Sequence, residues 1–481
     1  MTRVLVAGGG VTGLAAAHRL RTLLGPDAEI VVAEAARTLG GKLSALEVGG
    51  RRVDVGAEAF LARRPEAAAR VAELGLGDQL VHPGSAASAL RVGGRTVGLP
   101  PRTVMGVPGD PDVVGDALSP AGVAALRADR PGPWEPGGDV AVGALVRERL
   151  GDEVADRLVD PLLGGVYAGH ADGLSVRATV PALATALDAD PRSLLAAARA
   201  CLPAPPVEGA PPVPVFGTLR GGLADLPATL ALAARAEIRL GRTVTAVRRT
   251  AEGWRVELAA ESGETAALDV DAVVLAVPPP AVRRLLADQA PGAARAAGEI
   301  ELASSALVVL ALPAAAAAPL AGRSGVLIGA GERRPDGLPW TIKAATFSAE
   351  KWPHLAPDTD DPEDTAVLRL SIGKYGDAAS LDALRRDDPD LVSAARDDLA
   401  ALTGVDAVPV ESAVVRWPGG LPQYGVGHLD RVAAIEDGVA ALPGLAVAGA
   451  ALHGVGVPAC LATADAAAER VAAHLAAVAR A

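Results

Sequence analysis

Apolar residues open the chain as a short unbroken run at 4–7, stop at glycines, and resume over 14–24 with the small-residue spacing of a helix. A second apolar run at 30–33 ends in Glu34. Strand, helix and strand in that order predict a βαβ unit. The far end repeats this pattern, with 445–448 reading as a strand, 449–456 as a glycine-rich loop and 458–479 as a long alanine-rich helix. Glycine-rich joints between strand and helix at both ends predict one domain assembled from distant segments.

The middle of the chain changes character several times. Proline and glycine are dense over 99–138, a helical region follows from 140 to about 201, and the proline-rich stretch 203–214 reads as a linker. Residues 217–235 predict a glycine loop and a helix, and 237–240, 243–248, 254–258 and 271–277 predict strands, the last ending in Pro278–Pro280. Alternating segments over 306–372 predict an antiparallel sheet. Only 302–320 approaches the length of a membrane span. It carries Ser304, Ser305, Pro313 and Pro319, so it reads as a buried strand at 305–312 followed by a turn.

Gly8, Gly10 and Gly13 stand at the GxGxxG spacing, which lets the backbone turn tightly, approach a diphosphate and start a helix facing it. In a chain with 55 glycines such a triplet arises by chance about 0.7 times, so context supplies the specificity. Glu34 lies 24 residues past Gly10, near the spacing of the acid that takes ribose hydroxyls. A second cluster, LGGKLS, occupies 39–44. These features predict a site for FAD or NAD.

Composition narrows the picture. A length of 481 residues suggests two or three domains, and 50% hydrophobic residues with only 5 Trp, 3 Tyr and 3 Phe leave Ala, Leu and Val to fill the core. A net charge of −12 excludes a basic nucleic-acid-binding protein. Cys201 and Cys460 form neither a CxxC pair nor a metal-ligand pattern, which predicts a reducing, cytoplasmic setting and no metal. The N-terminus enters a strand at once, without the pattern of a cleaved signal. Lysine occurs only at 42, 343, 351 and 374.

Together the motifs resemble the flavin-dependent coproporphyrinogen III and protoporphyrinogen oxidases of haem biosynthesis, within the wider amine oxidase-like superfamily. The resemblance covers nearly the whole chain. Besides GGGVTGLAAA and GGKLS it is carried by DVGAEAFLARR, LPPRTVMGVPG, VDPLLGGVYAGHADGLS, KWPHLAP, RWPGGLPQYGVGH and HGVGVPACLATA. KWPH and LPPRTVMGVPG look most like the coproporphyrinogen oxidases of Gram-positive bacteria.

The resemblance implies an α/β and α+β fold: a discontinuous Rossmann-like FAD-binding domain (1–60, 215–280, 441–481), an antiparallel-sheet substrate domain (61–100, 281–440) and a helical subdomain (101–214). It implies that Gly8, Gly9, Gly10, Val11, Thr12 and Gly13 hold the diphosphate of FAD. Glu34 and Ala35 would meet the adenosine ribose, and Lys42 with Ser44 the phosphate or ribityl region. Gly56, Ala57, Glu58 and Ala59 would run beside the flavin, and the backbone of Val244 would meet adenine. Trp417, Gly449, Val455, Gly456 and Val457 would close on the ring from the other side.

The implied reaction removes six electrons from a tetrapyrrole in three two-electron steps, the flavin carrying the chemistry and dioxygen accepting the electrons to give hydrogen peroxide. No catalytic residue is assigned: His170, His354, His428 and His453 are candidates for a base, and none is chosen. Coproporphyrinogen III carries four propionates, and Arg63, Arg64, Arg102, Lys343 and Lys351 are the cations in segments expected around it. Implied partners are the tetrapyrrole, dioxygen and, transiently, a ferrochelatase. No transmembrane segment is expected; peripheral membrane contact near 140–200 stays open. Protoporphyrinogen oxidase is the near alternative, with a non-catalytic flavin or porphyrin carrier and a nicotinamide enzyme further off.

Overall fold

The computed structural model describes residues 2–203, 214–358, 361 and 363–480. All of the expected linker except its two end residues lies outside the described residues. Five parallel strands form the sheet to which both ends of the chain contribute. Arg3–Ala7 lies at its centre between Glu29–Ala33 and Ala272–Leu275, with Glu237–Arg239 and Leu445–Val447 at the edges. Cover on both faces explains why the first run is apolar throughout. Val4 and Val6 pack with helices Val11–Leu24, Asp225–Ala234 and Val457–Val478. Leu5 and Ala7 face a layer that includes the antiparallel strands Arg242–Arg249, Trp254–Ala260 and Thr265–Val270.

The alanine-rich composition finds its use in the helical cover. Ala15, Ala16 and Ala17 on the opening helix, and Ala464, Ala467 and Ala468 on the C-terminal helix, are buried in one cluster. Small side chains let packed helices approach closely. The helices start at Val11 and Val457, three residues and one residue ahead of the expected ranges, with Gly10 and Gly456 as their N-caps.

A seven-stranded sheet forms the second layer, in the order Glu411–Pro422, Leu302–Pro313, Thr365–Ile372, Ile342–Phe347, Arg323–Ile328, Ala87–Val92, Arg95–Gly98. It is antiparallel except where Arg323–Ile328 runs parallel to Ala87–Val92. That pair joins strands from opposite sides of the helical region, so no hairpin sets its sense. Leu302–Pro313 is longer than the expected strand and turns into the 3-10 segment Ala314–Leu320. Its apolar length follows from burial on both faces: Val308 and Leu310 pack in the cluster of helix Asp388–Thr403, Leu307 and Val309 against Val48, Val53 and Val55. No helix among the described residues is long and apolar enough to cross a membrane.

The helical region follows strand Arg95–Gly98 in sequence. Helices Val142–Leu150, Asp160–Tyr167, Pro181–Ala189 and Leu194–Cys201 turn Leu145, Leu163, Leu183, Leu187 and Leu194 into a common core. Helix Asp160–Tyr167 also lies against strands Arg323–Ile328 and Ile342–Phe347 of the seven-stranded sheet.

Candidate active site

Parallel strands leave a sheet by the same edge, and the loops after Ala7, Ala33, Leu275 and Val447 therefore gather at one place. The first loop is built for close approach. A Cβ on Gly8, whose φ is +107°, would lie 2.3 Å from the Ala276 carbonyl oxygen, and one on Gly13 would lie 1.9 Å from that of Gly8. Gly10 is different: a Cβ there would meet nothing within 4 Å. Helix Val11–Leu24 starts at Gly10 with no side-chain cap and no acid in its first turn. Its first amides and the positive end of its dipole thus face open space, the arrangement that receives an anion.

The second glycine cluster closes on the first. Gly40 donates to the Gly9 carbonyl at 2.9 Å and pairs with Gly10 in a bridge. Glu34 accepts from the amides of Gly9 at 2.5 Å and Ala36 at 2.7 Å, with Ala35 exposed beside it. A Cβ on Gly56 would lie 1.9 Å from the Lys42 carbonyl oxygen, which accepts the Ala57 amide at 3.0 Å. The Val55 amide donates to the Ser44 carbonyl at 2.8 Å, so segment 55–59 runs against the LGGKLS loop. Lys42 has no acid partner among the described residues. Protein crowds its ammonium while solvent still reaches it, and that partial desolvation lowers it from the ordinary lysine value.

The other end of the chain supplies a second uncapped helix start. Helix Val457–Val478 begins at Gly456 with neither a side-chain cap nor an acid in its first turn. Buried Cys460 lies against the Thr12 hydroxyl and near Lys42, and both cysteines are free, Cys460 with its thiol pushed up by burial. Gly449 donates to Thr463 Oγ1 at 3.1 Å, and a Cβ on it would meet nothing within 4 Å. Trp417 Nε1 donates to the Val55 carbonyl at 2.9 Å, which fixes the indole against the segment leading to Gly56. The half-buried Val455 follows Gly454, whose amide donates to the Tyr424 hydroxyl at 2.8 Å. Val244 is buried in the three-stranded layer, ahead of a bulge, and its carbonyl accepts from Arg284 Nη2 at 2.8 Å.

Glu58 departs from the simple picture of a residue lining a ring. Its buried carboxylate accepts from Ser348 Oγ at 2.6 Å and Lys351 Nζ at 2.7 Å, with Arg369 Nη1 at 3.2 Å. The two cations outweigh the effect of burial and hold the carboxyl well below its ordinary value. Lys351 is therefore already paired, and Arg64 is likewise bound to Glu66 at 2.5 Å. Arg63 and Arg102 are exposed and have no ion-pair partner among the described residues; Arg102 holds a left-handed φ of +55°. Lys343 joins none of these pairs and donates to the Gly164 carbonyl at 3.2 Å.

One histidine, buried His428, serves the loop. Buried His428 stacks on Tyr424 with ring centroids 3.8 Å apart and donates from Nε2 to the Leu452 carbonyl at 3.1 Å. Burial pushes it down to about 4. Tyr424, 5.4 Å from Tyr167, donates to the Ala450 carbonyl at 2.7 Å. This stack ties residues 450–454 to the helical region. His453 pairs with Glu436 at 2.7 Å.

Three polar residues escaped the reading of the sequence. Arg369, which donates to the Gly56 carbonyl at 2.6 Å, is the lone charge in the strand TAVLRLSI, and a charge inside an apolar strand was the signal. Buried Asp160 is bound by Lys374 and by the Ala171 amide at 3.0 Å. Buried Asp54 accepts from the amides of Leu223 at 2.9 Å and Ala224 at 3.4 Å, and burial raises it to about 6. Both aspartates stand in segments that carry the resemblance, DVGAEAFLARR and VDPLLGGVYAGHADGLS, but no spacing to a partner residue in sequence marked either as a buried acceptor.

Comparison with known proteins agrees with this architecture. The family of flavin-containing amine oxidoreductases matches residues 11–472. Coproporphyrinogen III oxidase of Mycobacterium leprae is 41% identical over 476 residues, covering 98% of each chain. The enzyme of the same name from Bacillus subtilis is 30% identical over 95% of each chain. Among solved structures, a protein described as a protoporphyrinogen oxidase from Exiguobacterium aligns with a TM-score of 0.82 at 29% identity, covering 98% of this chain and 99% of its own. Cyclohexylamine oxidase from Brevibacterium oxydans, at 16% identity and a TM-score of 0.68 over 99% of each chain, shares the fold.

Proposed function

The chain belongs to the flavin-containing amine oxidoreductases, and from that premise we propose that it oxidises coproporphyrinogen III to coproporphyrin III in haem biosynthesis, with dioxygen as acceptor. The observation that carries the reading is the pair of uncapped helix starts, one from each end of the chain, opening beside glycines at one sheet edge. The open space at Gly10 and the unpaired Lys42 fit a diphosphate, and the donor set fits FAD, the cofactor of this family. The chemistry that FAD supplies when bound is two-electron acceptance, three times per macrocycle, with reoxidation by dioxygen giving hydrogen peroxide.

The protein's own residues bind and orient. Gly8 to Gly13 with Val11 and Thr12 receive the diphosphate, Glu34 and Ala35 the ribose, and Lys42 with Ser44 the adjoining chain. Val244 offers backbone to adenine. Gly56, Ala57 and Ala59 on one side, and Trp417, Gly449, Val455, Gly456 and Val457 on the other, bound the ring site. Glu58 is a positioning residue that holds Lys351 and Arg369 against this segment. His428 holds the loop through Leu452 and is not assigned a proton-transfer role. Arg63 and Arg102 are left to meet propionates. Arg64 and Lys351 would first have to leave Glu66 and Glu58. Transfer of product to a ferrochelatase and a cytoplasmic setting with peripheral membrane contact complete the proposal, supported by the resemblance.

The test is direct. FAD-loaded protein is mixed in air with anaerobically prepared coproporphyrinogen III and, separately, protoporphyrinogen IX, and porphyrin fluorescence and peroxide are followed. Faster turnover of the tetracarboxylate is expected. Faster turnover of protoporphyrinogen IX would replace the substrate, and tetrapyrrole binding without peroxide would make the protein a carrier.

A further inference from the structure

Strand Ile342–Phe347 contains an irregularity at one position. Ile342 pairs with Ile372 and Ala344 with Ser371, so Lys343 is the extra residue of a β-bulge, a device that re-aims a side chain. The lysine reaches helix Asp160–Tyr167, where the Gly164 carbonyl that it meets at 3.2 Å already accepts the Ala168 amide at 3.0 Å. No acid reaches it among the described residues. Asp160 on that helix is taken by Lys374 and the Ala171 amide, with His170 Nδ1 at 3.6 Å. On the flanking strands, Arg369 turns to Glu58 and Arg323 is exposed; on the helix, burial pushes the Tyr167 hydroxyl up to about 12. Burial, with Lys374 as a like charge, lowers Lys343 to about 7. One turn of the same helix leaves Gly165 and Val166 exposed, so apolar surface adjoins the unpaired amine.

A desolvated cation without an anion is costly, and a ligand that brings a carboxylate removes the cost. We propose that Lys343 is a specificity-determining residue that pairs with a carboxylate present in a tetracarboxylate tetrapyrrole and absent from the dicarboxylate. The inference rests on the tetrapyrrole reading above. The amine docks largely neutral above neutrality and gains its proton with the ligand.

Equilibrium binding of the stable product coproporphyrin III to FAD-loaded protein tests this, with protoporphyrin IX as the second probe. For Lys343→Met, Kd for coproporphyrin III rises about 10-fold or more, KM rises more than kcat falls, and Kd for protoporphyrin IX moves less than about threefold. Lys343→Arg restores most of the affinity. Calorimetry in buffers of differing ionisation enthalpy reads about one proton taken up per coproporphyrin III at pH 8 in the wild type, and none in Lys343→Met. Unchanged affinity in Lys343→Met, equal weakening for both porphyrins, or a wild type that takes up no proton overturns the inference while turnover leaves the proposed function standing. Should Lys343→Met not fold, the wild-type proton uptake and the Lys343→Arg affinities decide. A wild type that neither oxidises coproporphyrinogen III nor binds its product overturns both.

Discussion

Replacing Glu58 with Gln removes one charge and almost no volume from the junction between the glycine segment and the seven-stranded sheet. Gln still offers Ser348 an acceptor, but Lys351 and Arg369, 21% and 10% exposed, lose their anion. Breaking a buried pair by removing one partner costs about 3–5 kcal/mol. The partial exposure of Lys351 and the second bond from Arg369 to the Gly56 carbonyl place the expected loss near the lower bound, about 3 kcal/mol. Denaturant unfolding of the FAD-loaded protein, followed by flavin and tryptophan fluorescence, measures it. A cycle with Lys351→Met should return a coupling of about 1.5 kcal/mol. The sign with pH is fixed. The folded state holds the carboxyl below its ordinary 4.5, so the unfolded chain takes up the proton first as pH falls. The gap between wild type and Glu58→Gln is therefore full above about pH 4.5 and narrows below it. Equal stabilities at pH 7, or a gap that stays constant between pH 5 and pH 3, would refute the electrostatic account.

Other perturbations separate fold from site. Gly13→Ala puts a Cβ 1.9 Å from a backbone oxygen and should destabilise even flavin-free protein, by about 2 kcal/mol or more, whereas Gly10→Ala meets nothing within 4 Å. For Gly10→Ala, apoprotein melting should be unchanged while FAD affinity falls about 10-fold; an equal drop in both would contradict the open cradle. Arg102→Gly should relieve the left-handed backbone, stabilising the protein by about 0.5–1 kcal/mol, and raise KM for coproporphyrinogen III; unchanged KM removes Arg102 from the pocket. His428, buried and held neutral down to about 4, should contribute stability that is complete above its ordinary 6.5 and lost as pH falls from there to about 4, by roughly 3 kcal/mol. His428→Asn should flatten that acid limb, and urea midpoints across pH 4–7 would show it.

Legibility in the sequence followed the range of the force concerned. The apolar runs located the strands Arg3–Ala7 and Leu302–Pro313, and the glycine spacing located the starts of helices Val11–Leu24 and Val457–Val478, to within a few residues. Those features are decided by neighbours along the chain: backbone sterics at a glycine, and periodicity of burial. The fate of the charges was not written there. Lys343 and Lys351 stand eight residues apart with the same side chain, yet Lys351 meets Glu58 from 293 residues away and Lys343 meets no acid among the described residues. Arg63 and Arg64 part in the same way, through Glu66. Coulomb interaction and desolvation depend on distances in space, which only the packed sheet and helices fix; tertiary structure therefore decided which cations pair with an acid of the chain and which have none among the described residues.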